Sequence, residues 1–342
     1  MKFVELNNRN KNLKKKILSK IDTIIKSGKF ILGPEVFELE NKLKRIVKSK
    51  YCISTGSGTD ALLIALMASG IKKGDEVISS PFTFVSTIEV IRLLGAIPVF
   101  VDIDIKTFNI DEKLIQKKIT KKTKAIIAVS LFGQPANFSQ INKIAKKKNI
   151  TVIEDGAQSF GSTHKTKKSC NLSSIGCTSF FPTKTLGGFG DGGACFTNDN
   201  KLAKKIFQIR SHGQFKKYNY KFLGINGRLD TIQAGIIIEK LKLFKKELEL
   251  RNKVAKNYDK LIFKFKNKIN IPYIDPLNKS AYAQYSILLK NREKTIKNFI
   301  KRKIPYAIYY PKPIYFYEPY RRFKDECPVT EKVCKEIISI PM

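Results

Sequence analysis

From about residue 50 the chain alternates short apolar runs with amphipathic stretches, and this rhythm constrains the fold more than any other feature of the sequence. "YCIST" leads into "GSGTDALLIALMASG", and "DEVISS" into "STIEVIRLLGA". Then come "IPVFVDI", "KAIIAVSLF" and "ITVIEDGA", with a helical "SQINKIAKKKN" before the last. Apolar runs of about four to eight residues rich in β-branched side chains, separated by helix-length segments, specify a mostly parallel sheet covered on both faces. After "CTSFF" and "GACFTND" the period changes. "RLDTIQAGIIIEKLKLFKKELELRNKVAKNYDKLI" places apolar residues three and four apart, which predicts one long helix leading away from the sheet. Beyond about 265, "INIPYID", "AYAQYSILLK" and "TIKNFIKRK" suit a smaller α+β unit. The expected organisation is a large α/β domain over 1–240, with a helical segment at its start, and a small α+β domain over 241–342.

Several function classes are set aside by composition. The first residues, "MKFVELNNRNKNLKKK", carry no apolar core after their charges, and nowhere do eighteen apolar residues run uninterrupted. Neither a secretory signal nor a membrane span is indicated, so the expected compartment is the cytoplasm. Six cysteines form no CxxC pair and there are only two histidines, which predicts no metal site and reduced, structural thiols. The net charge of +36 invites a nucleic-acid partner. Only ten of the 65 basic residues are arginine, however, and the lysines are spread along the whole chain, as on solvated helix faces. Nucleic acid is therefore not the expected main partner.

Ligands of open α/β sheets bind beyond the carboxyl ends of the strands. In "CISTGSGTDAL" a strand, a glycine loop and a helix start set the N–H groups near Gly58 and Thr59 at the positive end of a helix dipole, an anion site. "TVIEDGAQSFG" ends a buried strand with Glu154 and Asp155; a carboxylate there can bind a metal, act as a base, cap a helix or hold a protonated ring nitrogen. Gln158 offers an amide to a phenolic oxygen, Ser179 a hydroxyl, and Phe84 a ring that either stacks on a planar group or packs in the core. In "SFFPTKTLGGFGDGG", Lys184 stands alone in a turn whose glycines admit a planar group close to the backbone. Together these are the parts that pyridoxal 5'-phosphate requires: a lysine for covalent attachment, an acid for the pyridine nitrogen, phosphate donors and a stacking plane.

The chain resembles the DegT/DnrJ/EryC1/StrS family of sugar-nucleotide aminotransferases, fold type I pyridoxal-phosphate enzymes with a seven-stranded-type sheet. The likeness runs from "FILGPEVFELE" to the last residues. Its blocks are "GSGTDAL", "GDEVISSPFTFVSTIEVI", "GAIPVFVDID", "TKAIIAVSLFGQPAN", "IEDGAQSFG", "SFFPTKTLGGFGDGG" and "HGQFKKYNYKFLGINGRLDTIQA". "KKSCNLSSIGCTSFFPTKTLGGFGDGGACFTND" and "HGQ...GINGRLDTIQA" look most like the branch acting on UDP-2-acetamido-2-deoxy-3-oxo-glucuronate, which takes an amino group from L-glutamate for surface-polysaccharide sugars such as those of O-antigen. By this resemblance Lys184 and Asp155 are catalytic. Gly58, Thr59, Phe84, Gln158, Ser179 and, from the other subunit of a homodimer, Asn226 hold the cofactor. Gly28, Phe30, Thr183, Arg228, Tyr309 and Tyr310 line the sugar-nucleotide site, with Arg228 reaching across the dimer.

Two departures stand out. Tyr309 occupies a position where relatives usually read histidine, and the chain stops at "SIPM" where relatives continue into a further helix, which suggests a truncated or shortened small domain. The alternatives are an aminotransferase acting on C3 or C4 of a dTDP- or UDP-linked keto-6-deoxyhexose, and a lysine-rich regulatory or nucleic-acid-binding protein on an enzyme-like fold. A family dehydratase would replace the lysine with histidine, and this chain has Lys184.

Overall fold

The computed structural model describes residues 3–6, 11, 13–265 and 269–342. The reading of the first residues as lacking a signal therefore falls partly outside the described residues.

Seven of the apolar runs form one sheet. Its strands are β1 (Tyr51–Thr55), β2 (Glu76–Ser79), β3 (Ile97–Phe100), β4 (Thr123–Val129) and β5 (Thr151–Asp155), followed by β8 (Ile175–Ser179) and β9 (Gly193–Thr197). Between β5 and β8 lies a short hairpin of β6 (Thr163–His164) and β7 (Lys167–Lys168). The order across the sheet is β1-β9-β8-β5-β4-β2-β3. Neighbours are parallel from β8 through β5, β4 and β2 to β3, whereas β9 runs antiparallel to both β8 and β1.

Alternation along each strand distributes its side chains between two apolar layers. In β4, Ala125 and Ile127 pack with Ile64, Ile88 and Ile206 of the helices Gly58–Ala68, Ser86–Leu93 and Asn200–Ile209. Ile126 and Ala128 face the other way, against Phe138, Ile141 and Ala145 of the helix Phe138–Lys146. Farther along that second face, Cys52, Ala194 and Phe196 meet Leu39 and Leu43 of the helix Pro34–Val47 and Ala234 and Ile237 of the helix Thr231–Leu241. Burying an aliphatic side chain contributes about 1.5–3 kcal/mol, so these layers dominate the stability of the sheet.

The pattern read as one helix after residue 228 is two, Thr231–Leu241 and Phe244–Ile262. Packing causes the break: Leu243 rests on a cluster of Leu13, Ile17 and Ile236, while the next residue, Phe244, packs its ring 5.3 Å from that of Phe160. A short hairpin of β10 (Gln214–Lys216) and β11 (Asn219–Tyr220) precedes these helices, and a second sheet follows them, ordered β12-β14-β15, from β12 (Ile269–Asn270), β14 (Tyr285–Leu289) and β15 (Ile337–Ile340). The intervening β13 (Asn278–Lys279) pairs instead with β6. Ile314, Tyr315, Tyr320 and Cys327 pack into the core of the large sheet. Asp102, just after β3, accepts hydrogen bonds from Val329 and Thr330 N–H, both at 2.8 Å, and so holds the start of the helix Pro328–Glu336. All six cysteines are free and buried.

Candidate active site

The site assembles at the carboxyl ends of β5 and β8. Asp155, the last residue of β5, is buried, and its Oδ2 accepts from Thr87 Oγ1 at 2.9 Å. Its Oδ1 accepts from Ala157 N–H at 3.2 Å. Burial raises this carboxyl above its ordinary value, opposed by the Thr87 hydroxyl, the Ala157 amide and the Lys184 ammonium. Lys184 shows the complementary shift: burial lowers its ammonium, while Asp155 works the other way. The two groups sense one another, and each is held in surroundings that penalise its charge.

Lys184 owes its place to a compact turn. Its N–H donates to Phe181 O at 2.9 Å, Gly188 N–H to Phe180 O at 2.7 Å, and Phe180 N–H to Gly192 O at 2.7 Å. A Cβ on Gly187 would lie 2.6 Å from the carbonyl oxygens of Phe181 and Pro182, and one on Gly188 would lie 2.8 Å from Gln233 Oε1. Sequence reasoning gave these glycines to a planar ligand; the structure uses them for the close packing of the turn itself. Thr183, beside the lysine, is exposed.

On one side stands the start of the helix Gly58–Ala68. The Ser57 hydroxyl accepts from Asp60 N–H at 2.9 Å and the Ser57 carbonyl accepts from Ala61 N–H at 3.1 Å, which leaves the N–H groups of Gly58 and Thr59 for an anion. A Cβ on Gly58 would lie 2.6 Å from Ser179 Cβ, so glycine is what lets Ser179 come alongside the helix start. The cradle fits a phosphate group.

On the other side Gln158 is buried between two partners. Its Oε1 accepts from Phe132 N–H at 2.8 Å and its Nε2 donates to Tyr310 Oη at 3.1 Å. Because a backbone N–H can only donate, the amide has one consistent orientation. Phe84, weighed between stacking plane and core, is 55% exposed, whereas Phe82 two residues earlier is buried. Phe82 packs edge-on against Tyr310 at 5.9 Å. Tyr309 lies half-buried next to it.

The remaining predicted residues gather a short way off. Thr231 N–H donates to Phe30 O at 2.9 Å, and Ile31 bridges Asp230, which joins the Gly28–Phe30 segment to the "GINGRLD" loop. Gly28 and Phe30 line an open groove with Gly33 and Phe37. The loop is fixed from behind, where Gly56 N–H donates to Gly227 O at 2.8 Å. Asn226 is exposed, and Arg228 has a buried Nε with no hydrogen-bond partner among the described residues. Sequence reasoning missed Thr87, for which the only hint was the four-residue spacing of Thr83 and Thr87, and it missed the backbone donor Phe132.

The chain belongs to the DegT/DnrJ/EryC1/StrS aminotransferase family, whose model matches residues 11–342. It is 48% identical over 342 residues to a Pseudomonas aeruginosa protein named UDP-2-acetamido-2-deoxy-3-oxo-D-glucuronate aminotransferase, covering all of this chain and 95% of that one. A family aminotransferase structure from Brucella abortus superposes with a TM-score of 0.96 at 36% identity, over 100% of this chain and 94% of that one. NtdA of Bacillus subtilis, solved with its cofactor PMP bound, gives 0.94 at 28% identity, over 100% of this chain and 80% of that one. The fold is that of these enzymes, and the chain is an aminotransferase. Among the described residues no helix is long and apolar enough to cross a membrane.

Proposed function

We propose that the protein transfers the amino group of L-glutamate to C3 of UDP-2-acetamido-2-deoxy-3-oxo-glucuronate, using pyridoxal 5'-phosphate. The observation that carries the reading is the pairing of buried Asp155 with half-buried Lys184 beside the Gly58–Ser179 cradle, set in a chain 48% identical to an enzyme named for this substrate. Pyridoxal phosphate, when bound, supplies a ring that delocalises negative charge from the carbon carrying the amino group.

The protein's own side chains do the rest. Gly58 and Thr59 N–H and the Ser179 hydroxyl hold the phosphate, joined by Asn226 of a second copy. Asp155 pairs with the pyridine nitrogen and keeps its proton in place; Gln158 donates to the ring oxygen, and Phe84 covers the ring. Lys184 would anchor the cofactor and, with its amine free, would carry a proton to and from the substrate carbon. Burial that lowers its ammonium increases the neutral share needed for that task. Gly28, Phe30, Thr183, Tyr309, Tyr310 and the Arg228 of a second copy line the sugar-nucleotide site.

This reading includes a homodimer with shared sites, a cytoplasmic location, and a division of the chain at 240/241. The helix break at residues 242 and 243 supports the division. Cytoplasmic UDP-sugars fit the location, and the surface charge is read as background.

The test is turnover by the purified, cofactor-loaded protein on a panel of keto-sugar nucleotides with glutamate. The UDP-linked 3-oxo-glucuronate should be used at the highest kcat/KM. Preference for a dTDP- or UDP-linked keto-6-deoxyhexose would replace the proposed substrate. Absence of a visible absorption band from Lys184-linked cofactor would end the cofactor assignment.

A further inference from the structure

Between β4 and the helix Phe138–Lys146 the chain makes a tight turn over Ser130–Gln134, and three of its successive N–H groups are tied to different places. Ser130 N–H donates to Asp155 O at 3.0 Å, Leu131 N–H to Asn109 Oδ1 at 2.8 Å, and Phe132 N–H to Gln158 Oε1 at 2.8 Å. Phe132 sits at φ 55° and ψ 9°, the left-handed region that a bulky residue occupies only when its surroundings hold it there.

Asn109 grips this turn at both ends. Besides accepting from Leu131, its Nδ2 donates to Gln134 O at 3.1 Å, and the residue is buried. From the other side, Gly133 O accepts from Ala281 N–H at 2.9 Å, and Gln134 exchanges hydrogen bonds with Tyr273 O at 2.9 Å and Asp275 N–H at 2.7 Å. The rings of Phe82 and Phe108 pack edge-on against Phe132 at 6.2 and 5.9 Å. Among the described residues, Asn109 is the one side chain that hydrogen-bonds both the residue before Phe132 and the residue after Gly133.

We infer that Asn109 is a positioning residue for the reaction: by fixing the turn it keeps Phe132 N–H on Gln158 Oε1, which forces Gln158 Nε2 to be the atom that faces the cofactor and Tyr310. Without that backbone donor the amide of Gln158 can rotate and present an oxygen where a donor is required. The inference rests on the proposed role of Gln158 as donor to the cofactor's ring oxygen, and its test separates the two.

A donor on the ring oxygen stabilises the oxygen's negative charge, so the nearby nitrogen that links Lys184 to the cofactor holds its proton less tightly. Removing the donor raises the pH midpoint of the visible absorption change of the resting, cofactor-loaded protein. Of the other titratable groups around it, Asp155 keeps its partners in all the variants below, and Tyr310, whose hydroxyl burial already raises, is raised further where Gln158→Ala removes its donor, away from the measured range.

The midpoint is measured by spectrophotometric pH titration for Gln158→Ala, Asn109→Ala and the double variant, with thermal unfolding recorded beside each. The expected result is a rise of about one unit for Gln158→Ala and about half a unit for Asn109→Ala, with the double variant equal to Gln158→Ala alone. Asn109→Ser, which keeps a hydroxyl in the pocket, is measured in the same way and stands in if the alanine variant does not fold. An unmoved midpoint in the Asn109 variants while Gln158→Ala shifts, whatever their loss of thermal stability, overturns the inference. So does an Asn109 shift that adds in full to that of Gln158→Ala. An unmoved midpoint in Gln158→Ala itself removes the role assigned to Gln158, and the role of Asn109 falls with it.

Discussion

Thr87 Oγ1 donates to Asp155 Oδ2 at 2.9 Å, joining two residues 68 positions apart, and Thr83 Oγ1 lies 3.0 Å behind it. The hydroxyl opposes the rise that burial imposes on the carboxyl, and so favours the ionised form that a cationic ring nitrogen requires. Thr87→Val deletes one charge-assisted hydrogen bond, about 1.5 kcal/mol, and should slow the half-reaction with glutamate about tenfold while cofactor is retained. Asp155→Asn should cost about 10² to 10³ or more. Rapid-mixing absorbance measures both, and a Thr87→Val protein as fast as wild type would remove the threonine from the site.

Gly58→Ala tests the phosphate cradle. The added methyl would stand 2.6 Å from Ser179 Cβ, and neither the helix start nor β8 can yield freely. Affinity for the cofactor should fall at least about tenfold, roughly the loss of one anion contact, with the apoprotein still folded. Equilibrium titration of apoprotein with pyridoxal phosphate gives the answer; an unchanged dissociation constant would place the phosphate elsewhere.

Glu154 predicts a pH dependence of stability. This carboxyl is buried and pushed up from 4.5 to about 7, although Ser169 Oγ and the N–H groups of Cys170 and Leu172 donate to it. A raised acid binds its proton more tightly when folded. Its contribution is therefore complete below the unfolded value and is lost as pH rises through about 7, by about 3 kcal/mol in all. Denaturant midpoints at pH 5 and pH 8 should differ by more in wild type than in Glu154→Gln, which has no such proton to lose. Equal pH dependence in the two proteins would contradict the assignment.

The proposed sharing of sites between two copies predicts complementation between impaired subunits. Lys184→Ala and Arg228→Ala, dissociated and reassociated together, should form mixed dimers in which one site carries both lesions and the other none. Random assortment of a two-fold dimer then restores about a quarter of wild-type activity. Arg228→Ala alone should weaken sugar-nucleotide binding and leave the visible band intact. Mixed dimers that form without any activity would show that each subunit completes its own site.

Much of this protein is written locally. The strand runs "YCIST", "DEVISS" and "ITVIEDGA", the glycine that opens the helix after β1, and the lone lysine among glycines were all legible because hydrophobic period, capping and turn chemistry act over a few residues. The lysine and the aspartate are also residue types whose chemistry is distinctive without their neighbours. The tertiary structure alone decided that Thr87 meets Asp155, that Phe132 N–H aims Gln158, and that Asn109 holds the turn between β4 and the next helix, since these contacts depend on strand order and on backbone groups that carry no residue-type signature. It also divided the predicted long helix at residues 242 and 243. The apolar period runs through that point without interruption, and what breaks the helix is the placing of Leu243 and Phe244 in two different clusters, one built on Leu13 and Ile17 and the other on Phe160, which no local pattern contains.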